Sequence, residues 1–220
     1  MSIRIILVPI FGADSDAHGL EAAFGVADRF GAHGTGLFVR IDPRDAIPVI
    51  GEGVSPAVVN QLTQAAEAEM DRRNAAARAA FDAVCGKAGV AISDKPNAAG
   101  KASAGWVELT GRRDEIIPKQ ARVSDLTVLC RPDEQTPPDL DTVLEATLFG
   151  SGRPLLIVPP QGAPSIGRTV AIAWNDGAEA ARAVAAALPF VEAADAVHVL
   201  SAETRRTRAE VSADLIQYLE

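Results

Sequence analysis

The apolar positions of this chain alternate between short continuous runs and longer stretches with helical spacing. The run Ile3–Ile10 is rich in β-branched residues and almost uninterrupted, which is typical of a strand that is covered on both faces. After it, Leu20, Phe24 and Ala27 recur at helical spacing until Gly31 ends the helix. Further apolar runs predict strands at 36–39, 104–109, 126–129 and 154–159.

Helical patterns separate these strands. A long helix is predicted to begin at Ser55 and Pro56, a cap residue followed by proline at the first helical position, and to be stopped by Gly86 and Gly89. The residues of its apolar stripe are Val58, Leu62, Ala66, Ala77, Phe81 and Val84. Shorter helices are predicted at 114–122 and 140–148, and a loose connection at 91–101. Because strands alternate with helices, the predicted fold class is α/β, an open five-stranded parallel sheet with helices on both faces.

The opening pattern recurs late in the chain. Arg4–Gly12 leads through an Ala-rich helix to the strand at 36–39, and Arg168–Asp176 leads in the same order to Val197–Leu200. The second pattern stops inside its second helix. We therefore predict a complete domain at 1–160, a linker at 161–167 and a partial second copy of the domain at 168–220.

Charge and composition exclude several classes of function. Acidic residues outnumber basic ones by 29 to 21, and the net charge of −8 repels nucleic acid and anionic membranes. No apolar run approaches the ~18 residues that a membrane span needs, and the N-terminus has no signal-peptide pattern. We expect a cytoplasmic protein with no nucleic-acid or membrane partner, in which Cys85 and Cys130 are free thiols.

Four local strings stand in a specific order along the chain: Ile6–Pro9, Ser124–Val128, Gly150–Pro159 and Val170–Asn175. Each string is weak by itself, but their order and the internal repeat resemble the universal stress protein family in its tandem, two-domain form. The resemblance implies a Rossmann-like sheet of the adenine nucleotide alpha hydrolase type, followed by a truncated second domain.

Members of that family that hold ATP resemble one another in an acidic residue after the first strand and a glycine-rich loop after the fourth. Glycines let backbone N–H groups approach phosphate oxygens. Here Phe11 stands where the acidic residue would fall, and Cys130–Asp133 replaces the first pair of glycines. Proline removes a donor, and the acidic residues Asp133, Glu134 and Asp139 are expected to repel phosphate. The first domain is therefore predicted to bind neither ATP nor another cofactor.

Two further segments bear on nucleotide binding. Counting back from the fifth strand places the family's last glycine-bearing dipeptide at Asp141–Thr142, so Gly150–Ser151 is predicted to end a helix instead. The phosphate loop of the second domain would lie beyond Glu220. The candidate nucleotide-binding residues of that domain, which follow its first strand, are Asn175, Asp176 and Gly177.

Other catalytic or metal-binding constellations are not predicted. The three histidines lack ligand spacing, and no serine stands with a histidine and an acid in a hydrolase pattern. Trp106 and Trp174 are expected to pack in the core rather than to stack on a base. Cys130 ends a strand, and we expect an inert buried thiol there, with a redox-sensitive thiol as the alternative.

The function that these patterns favour is a non-catalytic stress-response protein that acts through partner binding or assembly. The resemblance implies that the fifth strand lies at an edge of the sheet and pairs with the same strand of another domain. The predicted interface is therefore Leu155, Leu156, Ile157 and Val158, in a homodimer or in an intramolecular pair of domains. The alternative is a small-molecule or nucleotide binder with a pocket between the ends of strands one and four. An ATP-splitting enzyme of similar fold is not favoured, because the first loop is not rich in glycine.

Overall fold

The computed structural model describes residues 2–41, 56–97, 99–132, 139–163, 165–201 and 211–220. These residues form two units, of which the first is Ile3–Pro164 and the second contains Ser165–Glu220. The elements of the first unit are β1 (Ile5–Ile10), α1 (Asp16–Phe30), β2 (His33–Arg40), α2 (Pro56–Ala88), β3 (Ala91–Ile92), β4 (Ser103–Thr110), α3 (Arg113–Ala121), β5 (Leu126–Cys130), α4 (Leu140–Gly150) and β6 (Leu155–Val158).

The sheet of the first unit is parallel and has the strand order β3-β4-β2-β1-β5-β6. The predicted α/β class and the parallel sheet are confirmed, but the sheet has six strands instead of five. The additional strand is β3, which pairs with Ser103 and Ala104 at the start of β4, where the sequence predicts only a loose connection. Two residues are too few to show an alternating pattern, so the sequence carries no signal for this strand.

One face of the sheet is covered by α3 and α4. Leu7 of β1, Leu37 of β2 and Leu129 of β5 form a buried cluster with Ile117 of α3 and Val143 of α4. Because side chains alternate along a strand, the residues directly before and after each of these leucines point to the opposite face. Both faces of the central strands are therefore buried, as their continuous apolar runs predict.

The opposite face is covered by α1 and α2. Phe24 of α1 and Phe81 of α2 meet edge to face, with ring centroids 5.9 Å apart, and Trp106 of β4 lies 5.3 Å from Phe81. The two phenylalanine rings lie directly over Gly34 and Gly36 of β2, where an added Cβ would come within 2.7 and 2.8 Å of them. The glycines of β2 thus allow two large rings to pack closely against the sheet.

The long helix α2 ends at the second of its two predicted stopping glycines. It continues through Gly86 to Ala88, and Gly89 adopts a φ of +64°. Its apolar stripe is buried only in the second half, because Val58 and Leu62 are 43% and 44% exposed whereas Phe81 is fully buried. A periodic stripe shows which side of a helix is apolar, but not how much of the helix lies over the sheet. No helix within the described ranges is long and apolar enough to cross a membrane.

The second unit has the same order of strand, helix and strand as the start of the first unit. Its elements are β7 (Thr169–Ala173), α5 (Ala178–Glu192), β8 (Ala196–Leu200) and α6 (Val211–Leu219). β7 and β8 pair in parallel, with Thr169 opposite Ala196. The buried cluster of this unit consists of Ile172, Val184 and Leu215. This core is small, because a two-stranded sheet with two helices encloses little apolar surface.

The packing of Phe81 leads to a stability prediction. Phe81→Ala removes a fully buried ring from the contact between α2 and the sheet, so we expect a loss of about 3–5 kcal/mol in the free energy of unfolding. The matched control is Leu62→Ala on the same helix, since Leu62 is 44% exposed and its truncation should change this quantity by less than about 1 kcal/mol. Urea denaturation followed by far-ultraviolet circular dichroism measures both values, and equal losses would contradict the assignment of the core.

Candidate functional site

The turn after β1 is held by a single carboxylate. The backbone N–H groups of Phe11, Gly12 and Ala13 all donate to Oδ2 of Asp16, at 3.1, 2.7 and 2.9 Å. Asp16 is the first residue of α1 and is only 7% exposed. The three hydrogen bonds fix the backbone where the carboxyl end of β1 meets the helix, which is the region where parallel α/β sheets bind ligands.

Gly12 is required in this turn for two reasons. Its φ of +76° lies in the left-handed region, which favours glycine. An added Cβ would also lie 2.6 Å from the carbonyl oxygen of Arg73, so α2 passes directly over the turn. The turn after β1 is therefore closed from above by the backbone of α2.

Burial changes the protonation of Asp16. Desolvation raises the pKa of this carboxyl group from 3.8 to about 6, although the hydrogen bonds from Ala13, Phe11 and Gly12 and the charge of Arg113 act in the opposite direction. Asp16 therefore gains and loses its proton slightly below neutral pH, which an exposed aspartate does not do.

Arg113 is the second buried charge at this edge of the sheet. It is the first residue of α3, and its side chain is only 3% exposed. Its Cζ lies 5.2 Å from the ring centroid of Phe11, and its Nη1 donates to both carboxylate oxygens of Asp139 at 3.2 and 3.1 Å. The guanidinium group thus lies between the end of β1 and the start of α4.

Among the described residues, two donor atoms of this guanidinium have no hydrogen-bond partner. They are Nε and Nη2, and both are buried. These atoms form one edge of the planar group, the edge that pairs side-on with a carboxylate or a phosphate. Leaving a buried donor without a partner costs about 1–3 kcal/mol, so this edge is an unusual feature in a folded protein.

Sequence reasoning missed Arg113, although a signal was present. Arg113 precedes Ile117 by one helical turn, and Ile117 is buried in the core. Residues at i and i+4 share one face of a helix, so the periodicity of α3 places an arginine on the buried face. A charge at such a position needs a partner, and the sequence does not show which one.

The predicted pocket between the ends of strands one and four is present, but it is very small. It lies between β1 and β5, and its volume is about 10 Å³, which is close to the lower limit for one water molecule. Its walls include Pro9, Phe11, Asp16, Val128, Cys130 and Leu140. Phe11 is one of the walls of this cavity, so a larger ligand would have to displace its side chain.

The predicted phosphate-loop region is partly described. Gly150–Ser151 ends α4 as predicted, because the N–H of Ser151 donates to the carbonyl oxygen of Thr147 at 3.1 Å. Asp133 and Glu134 lie outside the described residues. Asp139 forms an ion pair with Arg113, and the expectation that it repels phosphate stays a prediction.

The solved structure of a universal stress protein from Archaeoglobus fulgidus DSM 4304 shares this architecture. It is 16% identical over 98% of this chain and 72% of its own length, with a TM-score of 0.57. The chain has the universal stress protein fold. UspA from Lactobacillus plantarum is 18% identical over 71% of this chain and 98% of its own, with a TM-score of 0.48. A universal stress protein in complex with cAMP is 15% identical over 73% of this chain and 99% of its own, with a TM-score of 0.40. No protein-family model and no curated protein matches the chain.

Within the universal stress protein fold of this chain, the predicted interface strand is the edge strand β6. It pairs in parallel with β5, with Leu155 opposite Thr127 and Val158 opposite Cys130. The four residues are not equally accessible, since Ile157 is 44% exposed whereas Val158 is buried and Leu155 packs against the core. Ile157 is therefore the side chain of this strand that offers most surface to a partner.

The candidate residues of the second unit form a tight turn. Oδ1 of Asn175 accepts the N–H of Gly177 at 3.0 Å, and Asp176 has a φ of +62°. Gly177 is the N-cap of α5. This arrangement starts a helix after the carboxyl end of β7.

The other chemistry-bearing residues have structural surroundings. Cys85 and Cys130 are thiols that are not joined in a disulfide, as predicted. Burial raises the pKa of the Cys85 thiol to about 11, and Sγ of Cys130 donates to the carbonyl oxygen of Ser15 at 3.1 Å. Trp106 packs on Phe81 and Trp174 on the small core of the second unit. Among the described residues, no group of three or more His, Cys, Asp and Glu side chains is suited to a metal ion.

The raised pKa of Asp16 predicts how stability depends on pH. A folded pKa above the unfolded one means that Asp16 stabilises the fold fully below about pH 4, and that this contribution is lost as the pH rises through about 6. Asp16→Asn keeps an oxygen acceptor but cannot ionise. The free energy of unfolding of the native protein, relative to that of Asp16→Asn, should therefore fall by about 3 kcal/mol from pH 4 to pH 7.5. Urea titrations at several pH values measure the difference, and a difference independent of pH would contradict the shift.

Proposed function

We propose that this chain is a non-catalytic, cytoplasmic member of the universal stress protein family that acts through assembly. The second unit is, in this proposal, the first part of a second copy of the domain. The observation that carries the proposal is the accessible edge of the sheet at β6, which bears an exposed isoleucine.

The geometry of β6 supports pairing with a second copy of the chain. The sheet ends at β6, so the outer backbone groups of Leu155–Val158 face away from β5 and are available to another strand. Antiparallel pairing of the two β6 strands is self-complementary, as a two-fold dimer requires. Pro154 and Pro159 flank the strand and restrict pairing to four residues, which limits further aggregation.

Apolar side chains beside β6 extend the proposed interface. Phe149 is 82% exposed and Val123 is 75% exposed. They lie close together, because Nε of Arg122 donates to the carbonyl oxygen of Gly150 at 3.1 Å, and Nε of Arg153 donates to that of Arg122 at 3.1 Å. Exposed apolar groups next to an edge strand favour association over a monomeric state.

The proposal excludes ATP binding in the first unit in the family manner. Phe11 is buried where the family's acidic residue would lie, and the cavity between β1 and β5 has a volume of about 10 Å³. The observations therefore give no support to the alternative function, a small-molecule binder with its ligand in that cavity.

The first test of the proposal concerns the oligomeric state. We expect the native chain to sediment as a dimer in analytical ultracentrifugation, and Ile157→Lys to weaken the dimer by at least about tenfold, because the substitution places a charge in an apolar contact. The matched control is Ile92→Lys on β3, the opposite edge of the sheet, where Ile92 is 53% exposed.

A monomeric native chain would contradict this assembly. Equal weakening by Ile157→Lys and Ile92→Lys would also contradict it, since the dimer would then not depend on β6 in particular.

The second test concerns nucleotides. We expect ATP with magnesium to raise the melting temperature in a thermal-shift assay no more than inorganic phosphate with magnesium does at the same concentration, because Phe11 is buried after β1 and the described cavity between β1 and β5 has a volume of about 10 Å³. The same result is expected for cAMP. A rise specific to either nucleotide would refute the exclusion of nucleotide binding.

A further inference from the structure

We propose that Arg113 is the centre of an oxyanion site at the carboxyl edge of the sheet, in which its unpartnered Nε and Nη2 bind a single phosphate or carboxylate group. The proposal is independent of the assembly through β6. It rests on the position of a buried guanidinium group between two helix N-termini.

The first observation is the free edge of the guanidinium. Arg113 is 3% exposed, and within the described part of the chain Nη1 is its one engaged donor atom, which donates to Asp139. Phe11 supports the face of the group, with its ring centroid 5.2 Å from Cζ. Stacking on Phe11 and pairing with Asp139 fix the plane of the guanidinium, so Nε and Nη2 are held ready for a side-on contact with two oxygens.

The second observation is the convergence of two helix N-termini. Arg113 is the first residue of the nine-residue helix α3, and Asp139 is the N-cap of the eleven-residue helix α4. The N-cap residues are Arg112 for α3 and Asp139 for α4, and neither makes a side-chain cap hydrogen bond. The carboxylate of Asp139 accepts from Arg113 instead. The positive ends of both helices thus lie on either side of the guanidinium, and both favour an anion there.

The neighbouring charges limit the size of the ligand. Among the described residues, Asp16 and Asp139 are the carboxylates near Arg113, and Arg73 of α2 is the other nearby cation. Asp16 bonds to backbone N–H groups and makes no described hydrogen bond to Arg113. With two cations and two carboxylates in the described part of the site, it suits one oxyanion group and not the chain of charges of a triphosphate.

The experiment observes Arg113 itself in the full-length protein. The Nε–H signal of Arg113 is recorded in ¹⁵N–¹H correlation spectra and assigned through its nuclear Overhauser contacts with the ring of Phe11. Sodium phosphate and sodium acetate are titrated separately up to tens of millimolar, with sodium chloride keeping the ionic strength constant. We expect a saturable shift of this signal with at least one of the two anions.

Two variants provide the comparison. Arg113→Lys keeps the charge but lacks the side-on pair of donors, so the affinity for the bound anion should fall by at least about tenfold in calorimetry. Arg112→Lys is the matched control, because Arg112 is the preceding residue and its side chain is 58% exposed, and it should leave the affinity unchanged. If Arg113→Lys does not fold, the titration of the native protein still decides the question.

The two titrations also distinguish the ligand class. A stronger response to phosphate identifies a phosphate site, and a stronger response to acetate identifies a carboxylate site. An Nε–H signal that responds to neither anion, or that responds equally to sodium chloride alone, would overturn the proposal and leave Nε and Nη2 to a bound water molecule. Equal affinities in Arg113→Lys and Arg112→Lys would overturn it as well.

Discussion

Burial of the central strands on both faces is the constraint on which the first unit depends. Leu7 and the other strand residues of its buried cluster face α3 and α4. The residues that alternate with them along each strand face the opposite layer, where Phe24 and Phe81 pack. Strands covered in this way leave no place for charge along their length, so charged groups gather where the strands end. The carboxyl edge of the sheet therefore holds the buried ionisable groups Asp16 and Arg113.

These two charges are accommodated in different ways. Asp16 is satisfied by backbone N–H groups of the turn that it stabilises, so its carboxylate has a structural role. Arg113 has only part of its hydrogen-bonding capacity used, although it is equally removed from water. A buried group that is only partly satisfied stabilises the fold poorly, which favours a role in binding over a purely structural one.

Much of the fold could be predicted from the sequence, and the site could not. The apolar run Ile3–Ile10 specifies a buried central strand, and Gly31 ends α1 in the left-handed conformation that glycine favours. These signals are local. The ion pair between Arg113 and Asp139 joins residues 26 positions apart, and the approach of α2 to Gly12 joins segments still farther apart. Such contacts depend on how helices lie across the sheet, which a periodic pattern does not encode.

The uneven burial of α2 has a consequence for how the first unit opens. Around Leu62 the helix is exposed, whereas around Phe81 it is part of the core. Opening the first turns breaks few tertiary contacts, so their amide hydrogens should exchange with solvent through local fraying, while those near Phe81 exchange only when the whole unit unfolds. One continuous helix thus spans two levels of protection, and proteolytic cleavage near its start would leave the sheet and both of its apolar layers in place.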